Sequence, residues 1–296
     1  MSENRILLIE NPAQLRVKLD RLCIHRDGFD DAFILPNDIA VLVIHHPVVS
    51  LTAAVMQALT KAGAILLVTD ERHLPTGMLW PWVGQDRLAG RLRQQIRLEN
   101  NPSYRDDLWA NIVRSRLETQ ALNLKYLEKK GSLRLKRLVT QVTSGDPNNL
   151  EAQGARHYWK ILLPEGVRRE KRGASDAINS RLNYGYAVLR AMVARELACH
   201  GLQPALGLGH SSGENPFNLA DDFMECFRFC VERFVMRSNL SEPFDSNARV
   251  RLLDFVKAEV TINGKTFRLP SAIAETVNGF VRVLTGTEKV LPLPGL

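Results

Sequence analysis

The 296-residue sequence lacks the marks of several protein classes. Its four cysteines, Cys23, Cys199, Cys226 and Cys230, are too few and too scattered for a disulfide framework, and their spacing does not favour a zinc site. We therefore expect buried, reduced thiols. No apolar run is long enough to cross a bilayer, and the N-terminal segment has no small-residue cleavage site of a signal peptide. These absences predict a cytoplasmic protein with no membrane partner.

The sequence also lacks a glycine-rich phosphate loop. Residues Ile39–Asp70 have the pattern of a strand, a helix and a second strand, with Ser50 predicted as the N-cap of helix Leu51–Ala62 and Gly63 as its end. In a nucleotide-binding fold a run of glycines would join the first strand to the helix. The segment therefore predicts a β-α-β unit without a nucleotide site.

Positive charge is abundant and unevenly distributed. The net charge is +7, and residues Gly84 to Arg137 contain thirteen basic and six acidic side chains. A second basic cluster follows at Arg168–Arg172. Concentrated positive charge is typical of proteins that bind a polyanion, usually nucleic acid, although a solvated helical surface can also accumulate arginines.

The hydrophobic pattern divides the chain into two parts and predicts an α+β fold. Short runs rich in Ile, Val and Leu predict a β-rich domain over residues 1–83, with strands at Arg5–Ile9, Lys18–His25, Ala32–Leu35 and Ile39–His45. From Gly84 a helical period predicts a larger domain over residues 84–296, with a hairpin turn at Asn263-Gly264. Its predicted helices are Asp86–Leu98, Ser103–Leu127, Leu133–Val142, Leu150–Leu163, Asp176–His200 and Leu219–Met236.

Three segments of the helical part carry candidate site residues. Glu151 lies in the first turn of a helix, His210 lies between glycines in a loop, and Asp222 and Glu225 share one face of a helix start. Each has an ordinary structural explanation: a carboxylate that complements a helix dipole, a polar loop residue, or a solvated helix face. Together, one histidine and two or three carboxylates suit Mg²⁺ or Mn²⁺, and beside a basic surface such an ion indicates phosphodiester chemistry.

The same segments resemble a known family. The run NPFNLADDFMECFR, residues Asn215–Arg228, resembles the signature of the CRISPR-associated protein 1 family in its type II form. The segment Ala205–His210 is similar to the one that carries the family's histidine, and Glu151 in LEAQGARHYW resembles its glutamate motif. The resemblance extends over almost the whole chain.

The resemblance implies a fold, a site and a reaction. It implies an N-terminal β-sandwich, an all-helical C-terminal domain, a homodimer, and a Mg²⁺ or Mn²⁺ ion held by Glu151, His210 and Glu225, with Asp222 flanking the ligands. The implied enzyme is a DNA integrase or endonuclease that inserts spacers into a CRISPR array, where a 3′-hydroxyl attacks a repeat-edge phosphate. The implied partners are CRISPR-associated protein 2, double-stranded prespacer and repeat DNA, and, as a further candidate, a type II effector nuclease. Phosphate contacts are expected from Arg87, Arg91, Arg168, Arg169, Lys171 and Arg172.

Two other functions remain open at this point. A metal-dependent nuclease that hydrolyses branched or single-stranded nucleic acid would use the same three ligands, with water as the nucleophile. A catalytically silent nucleic-acid-binding scaffold would need none of them. Substitution of Glu151 or His210 by alanine separates the scaffold from both enzymes, because only the enzymes lose activity.

Overall fold

The computed structural model describes residues 5–69, 75–79, 81, 88–171 and 176–295. In the described residues, its N-terminal part contains eight strands, a short 3₁₀ helix at Pro36–Asp38, and one α-helix, α1, which lies between β6 and β7. The strands are β1 (Arg5–Ile9), β2 (Ala13–Lys18), β3 (Arg21–His25), β4 (Ala32–Ile34), β5 (Ile39–Ile44), β6 (Val49–Leu51), β7 (Ile65–Thr69) and β8 (Pro75–Leu79), and α1 is Ala53–Lys61.

The strands form two four-stranded sheets. The first has the order β1-β5-β7-β8, in which β1, β5 and β7 run parallel and β8 is antiparallel to β7. The second has the order β4-β3-β2-β6, with β6 parallel to β2. The predicted strand-helix-strand unit is confirmed, because β5 and β7 pair directly and the chain between them contains β6 and then α1.

Both faces of β5 are buried. Its side chains alternate: Val41 and Val43 pack into the core of the helical part, whereas Leu42 and Ile44 pack into the core shared by the two sheets and α1. This explains why the run IAVLVI is continuously apolar, since a strand covered on two sides has no solvent face. The first sheet therefore lies between the N-terminal core and the helices.

Two N-terminal predictions are wrong in detail. The predicted strand Lys18–His25 crosses a tight turn, in which Leu19 and Asp20 adopt positive φ angles of 48° and 56° and separate β2 from β3. No glycine signals this turn in the sequence. Ser50 does not cap α1, because it lies in β6, which pairs with β2 and is therefore extended; Thr52 is the N-cap. Gly63 follows the helix with φ +72°, as predicted.

The rest of the chain is mainly helical, and its two longest helices, α3 and α6, carry many buried residues. A hairpin of β9 and β10 turns at Asn263-Gly264 as predicted. The elements are α2 (Leu88–Glu99), α3 (Pro102–Tyr126), α4 (Ser132–Val139), α5 (Leu150–Leu162), α6 (Ala177–Cys199), α7 (Asn218–Glu225), α8 (Arg228–Arg237), α9 (Ser246–Leu252), β9 (Glu259–Ile262), β10 (Lys265–Arg268) and α10 (Leu269–Leu284).

The predicted helix Leu219–Met236 is in fact two helices, α7 and α8. They are separated at Cys226 and Phe227. There Phe227 N donates to the carbonyl of Met224, three residues back, which is the 3₁₀ pattern instead of the α-helical one. Both residues at the break are fully buried, so the apolar pattern continues through it and gives no sign of the interruption. The break places Glu225 at the C-terminal end of α7 instead of inside a long helix.

Several contacts tie the β-rich part to the helices. Arg195 Nε donates to the carbonyl of Gly63 at 2.6 Å, and the ring of His45 stacks on Tyr184. The predicted boundary near residue 83 falls on residues outside the described ranges and stays a prediction. None of the four cysteines forms a disulfide; Cys23, Cys226 and Cys230 are buried as expected, whereas Cys199 is only partly buried. No helix in the described ranges is long and apolar enough to span a membrane.

Candidate metal and nucleic-acid site

Glu151 is placed by a tight turn before α5. Asp146 and Asn149 adopt left-handed backbone conformations, with φ of 48° and 51°. The Asp146 carboxylate accepts hydrogen bonds from the backbone N–H groups of Leu150, at 2.9 Å, and Glu151, at 3.0 Å. Asn149 caps the helix by accepting from Ala152 N. The first turn of α5, and with it Glu151, is therefore fixed by side chains of the preceding loop.

His210 is held by Asp222, a fully buried residue of α7. One carboxylate oxygen of Asp222 accepts from His210 N at 3.0 Å and lies 2.6 Å from His210 Nδ1. The other accepts from the backbone N–H groups of Leu208 and Gly209. This arrangement fixes the ring orientation and leaves Nε2 on the opposite side of the ring as the nitrogen available to a ligand.

The glycines of this loop are required by its packing. A Cβ atom on Gly209 would lie 2.3 Å from the indole ring of Trp109, and one on Gly207 would lie 2.2 Å from the His210 carbonyl oxygen. The Trp109 and His210 rings meet edge to face. The loop therefore follows the Trp109 surface closely, which a side chain at either glycine would prevent.

Glu225 is buried and paired with two arginines. Its Oε1 atom lies 2.7 Å from Arg228 Nη2, and its Oε2 atom lies 3.4 Å from Arg116 Nε. Arg116 was counted in the sequence among the basic residues of a nucleic-acid surface, but it is 3% exposed. Its charge therefore acts inside the protein, on Glu225, and does not contribute to a solvent-facing patch.

Arg116 also contacts a second buried carboxylate, that of Glu232. Glu232 accepts from Arg116 Nη2 at 2.8 Å, from Tyr158 Oη at 2.6 Å and from Tyr186 Oη at 2.8 Å, and Asn123 donates to Tyr158 Oη. We call these five residues the Glu232 cluster. It joins helices α3, α5, α6 and α8, and no sequence pattern predicted it.

The charges in this region shift several pKa values. Burial would raise the pKa of Glu232, but the charge of Arg116 and the hydrogen bonds of Arg116, Tyr158 and Tyr186 lower it below its ordinary value. Burial would likewise lower the pKa of Arg116, yet the charges of Glu232 and Glu225 raise it instead. The pair is therefore ionised in the folded protein.

The three predicted ligands act on one another electrostatically. Burial and then the charge of Glu225 raise the pKa of Glu151, while His210 and two arginines oppose the rise. The hydrogen bond to Asp222 is the main cause that raises the pKa of His210, and the charge of Glu225 adds to it. Each of the three groups thus lies within electrostatic range of the other two.

The three predicted ligands lie within electrostatic range of one another but do not form a closed metal site in this structure. Within the described ranges, no three His, Cys, Asp or Glu side chains stand close enough together to hold a metal ion. A physical reason lies in Glu225, whose two oxygens both face arginines in this structure. Binding of a cation by Glu225 would therefore compete with at least one of these ion pairs.

Buried polar atoms without hydrogen-bond partners surround the same region. Such atoms are rare in folded proteins and often indicate a missing ion, water or ligand. The buried side-chain atoms that lack a partner in the described part of the chain are Arg105 Nε, Arg116 Nη1, Gln120 Nε2, Gln120 Oε1 and Arg228 Nε. Arg116 and Arg228 contact Glu225, and Arg105 lines the cavity of about 300 Å³ that contains His210. The unpartnered guanidinium N–H groups therefore suit an anion such as a phosphate oxygen.

Comparison with known proteins now identifies the family. Residues 6–247 match the family model described as CRISPR associated protein Cas1. The chain is 35% identical to the CRISPR-associated endonuclease Cas1 of Neisseria meningitidis serogroup C, over 98% of this chain and 95% of that protein. This chain belongs to the Cas1 family. The family assignment made from the sequence is confirmed.

Two solved structures share the fold of this Cas1 family member at low sequence identity. A casposase bound to integration product aligns with a TM-score of 0.81 at 18% identity, over 97% of this chain and 92% of the casposase. The Cas1-containing chain of a Cas6-RT-Cas1–Cas2 complex aligns with a TM-score of 0.76 at 18% identity, over 98% of this chain and 36% of that chain. Both confirm a mixed fold of N-terminal strands and C-terminal helices.

The predicted phosphate contacts lie in different environments in this Cas1 protein. Arg168 and Lys171 are exposed, whereas Arg91 is 9% exposed and donates to Gln94. Arg169 is half-buried, stands over the rings of Trp159 and Tyr186, and donates to the side chains of Asn179 and Asn183. Arg87 and Arg172 lie outside the described residues.

Proposed function

We propose that this Cas1 family member is a divalent-metal-dependent DNA integrase that inserts new spacer DNA into a CRISPR array by transesterification. The observation that carries the proposal is the Cas1 family match over residues 6–247, within which Glu151, His210 and Glu225 come from three separate segments. Buried guanidinium nitrogens without partners lie beside them and can donate to phosphate oxygens.

In this proposal the three side chains share one cation, Mg²⁺ or Mn²⁺. Glu151 and Glu225 supply carboxylate oxygens and His210 supplies Nε2, while Asp222 keeps the His210 ring in place through Nδ1. When bound, the ion supplies positive charge for the oxygens of the reacting phosphate. Arg116 and Arg228, which contact Glu225, add fixed positive charge next to the proposed site.

The reaction exchanges one phosphodiester bond for another. The 3′-hydroxyl oxygen of the incoming DNA forms a bond to the phosphorus at the repeat edge, and the bond from that phosphorus to the 3′ oxygen of the neighbouring nucleotide breaks. The attacking 3′-hydroxyl gives up its proton, and the broken end takes up one proton and leaves as a 3′-hydroxyl, so bonds and protons balance. The role of the protein is to hold the two DNA ends in line and to stabilise the charge on the phosphate.

The relatives support this proposal and its partners. The casposase structure holds an integration product, and the second structure is a complex of Cas1 with Cas2, so we propose CRISPR-associated protein 2 and double-stranded DNA as partners. We also propose a homodimer, a type II effector nuclease as a further partner, and a phosphate surface that includes Arg168 and Lys171. The two N-terminal sheets, whose side chains meet in one apolar core, are proposed to form a sandwich within a domain of residues 1–83.

The test is an integration assay with a supercoiled CRISPR plasmid and a short duplex, run with Mg²⁺, Mn²⁺ or a chelator. We expect joined products only with metal, and a loss on the order of a hundredfold or more in Glu151→Ala, His210→Ala and Glu225→Ala, since each removes stabilisation of transition-state charge. Glu259→Ala, which changes an exposed carboxylate on β9, is the matched control. Unchanged integration in all three variants would overturn the proposed site, and absence of integration by the wild-type protein with either metal would leave only a nucleic-acid-binding scaffold.

A second candidate function is metal-dependent hydrolysis of branched or single-stranded nucleic acid. It is favoured by one observation, the name endonuclease carried by the Neisseria relative. The same ligands would serve, with water in place of the 3′-hydroxyl. In the plasmid assay hydrolysis yields only shortened fragments, whereas integration yields products that contain both DNAs.

A further inference from the structure

Arg116 lies between two carboxylates and contacts them unequally. Its Nη2 atom is 2.8 Å from Glu232 Oε1 and forms a hydrogen bond, whereas its Nε atom is 3.4 Å from Glu225 Oε2. Glu225 Oε1 is engaged more closely, by Arg228 at 2.7 Å. Of the carboxylate oxygens of Glu225 and Glu232, Glu225 Oε2 therefore has the longest contact with an arginine.

We propose that Glu232 is a positioning residue for the metal site, which keeps Glu225 Oε2 available to a cation by holding the charge of Arg116. Glu232 itself touches neither the proposed ligands nor the substrate. This inference rests on the proposed function, because it takes Glu225 as a metal ligand. It adds a residue whose role is to regulate the affinity of that ligand.

The physical reason is competition for a buried charge. A guanidinium group that is 3% exposed must be paired, because an isolated charge is strongly disfavoured inside a protein. Arg116 contacts two carboxylates in this structure, Glu232 and Glu225. If Glu232 carries no charge, Arg116 must pair with Glu225, and an incoming cation then has to displace a closer and stronger ion pair.

The Glu232 cluster is built to hold Glu232 in place. Hydrogen bonds from Tyr158 on α5 and Tyr186 on α6 occupy its carboxylate in addition to Arg116, so Glu232 cannot turn toward the metal site. Tyr158 lies on the helix whose first turn carries Glu151. The cluster therefore connects the helix that carries Glu151 to the arginine that contacts Glu225.

The test measures Mn²⁺ binding to the full chain without DNA by isothermal titration calorimetry, so it does not depend on activity. We expect Glu232→Gln to weaken Mn²⁺ affinity by roughly tenfold or more, the usual size of an effect from a residue next to a metal ligand. The double variant Glu232→Gln with Arg116→Met removes both charges, and we expect it to regain most of the lost affinity.

Two controls accompany these variants. Glu10→Gln removes another carboxylate, which is 10% exposed and pairs with Arg249 at 2.6 Å without contacting the site, and it should lower stability without changing Mn²⁺ affinity. Glu225→Gln removes the proposed ligand and should weaken binding in the wild-type background. Wild-type protein that binds no Mn²⁺, or an unaffected Glu225→Gln variant, overturns the proposed function and this inference with it.

Other outcomes concern Glu232 alone. The positioning role is overturned if Glu232→Gln binds Mn²⁺ with the affinity of the wild type. It is also overturned if the double variant binds Mn²⁺ as weakly as Glu232→Gln does. If Glu232→Gln does not fold, Tyr158→Phe carries the test. Loss of this hydroxyl leaves Glu232 more dependent on Arg116, so binding should be equal to or tighter than in the wild type; clearly weaker binding contradicts the inference.

Discussion

The core shared by the two sheets and the buried centre of the helical part differ in composition. In the described residues 5–69, His45 is the only buried polar side chain, and the core there consists of residues such as Leu15, Leu42 and Leu66. The helical part buries Arg116, Glu225 and Glu232 near one another. Apolar packing of equal volume is often as stable as a buried ion pair or more so, so the charged centre is better explained by function than by stability.

The largest effect expected in the apolar core is on stability. Leu42→Ala removes a fully buried side chain and should cost about 2–5 kcal/mol of unfolding free energy, measured by urea denaturation. Mn²⁺ affinity of the folded protein should not change. Leu133→Ala, at a side chain that is 70% exposed, is the control and should cost little. A Leu42→Ala protein that keeps its stability but loses metal binding would contradict the view that the apolar core serves stability and the charged region serves metal binding.

The second-largest expected effect is a loss of Mn²⁺ affinity on substitution of Asp222 in the charged region. All four contacts of the Asp222 carboxylate are with N–H donors or the His210 ring, so Asp222→Asn places an amide N–H₂ against other donors. We expect Mn²⁺ affinity to fall roughly 10–100-fold. Asp221→Asn, next to it on α7 but paired with Arg190, is the control and should have a smaller effect. Equal losses in both variants would show that the His210 loop does not depend on Asp222.

A smaller change tests how the turn before α5 places Glu151. Asp146→Ala removes the acceptor of two backbone N–H groups and should cost about 1 kcal/mol of stability. Asp146→Asn keeps one acceptor and tolerates the left-handed backbone, so it should cost less. Thermal unfolding measures both variants. If the two are equally destabilised, the hydrogen bonds are not what fixes the turn.

The smallest expected effect is a pH dependence of stability from His210. The pKa of His210 is raised in the folded protein, mainly by the hydrogen bond to Asp222. The stabilisation of the folded state by protonated His210 is therefore complete below about pH 6.5, the ordinary pKa of histidine. It is lost as the pH rises through the higher pKa of His210 in the folded protein. Because the side chain is 42% exposed, solvent weakens the effect. We expect the unfolding free energies of the wild type and of His210→Gln, measured by denaturation from pH 6 to 8.5, to converge as the pH rises. A constant difference between the two across this range would contradict the prediction.

Local features were the most accessible to prediction. The strand β1, the crossover from β5 to β7 and the turn at Asn263-Gly264 follow from apolar runs and turn residues that are close in sequence. Errors arose where the local signal continued through a structural change, as at Leu19-Asp20 and at Cys226-Phe227. At Leu19-Asp20 no glycine or proline marks the turn, and at Cys226-Phe227 the apolar pattern continues through the break, so only the packed structure marks these boundaries.

Among the candidate site residues, Asp222 and His210 form a hydrogen bond although eleven residues separate them along the chain, a contact that the sequence did not predict. The metal ligand set and the DNA contacts remain predictions. The role of Arg116 could not be predicted, because its partner Glu232 lies 116 residues away and neither residue is part of a recognisable motif. As one arginine in a basic segment, it has no sequence feature that distinguishes a buried cation from a surface one.

The sequence by itself determined the family, the two-part α+β organisation and the identity of the candidate ligands, since these depend on motifs and periodicities within short segments. Only the tertiary structure decided which charges are buried and paired. Pairing of Arg116 with Glu225 and Glu232 depends on how α3, α7 and α8 pack, and the cost of burying a charge is set by that three-dimensional environment.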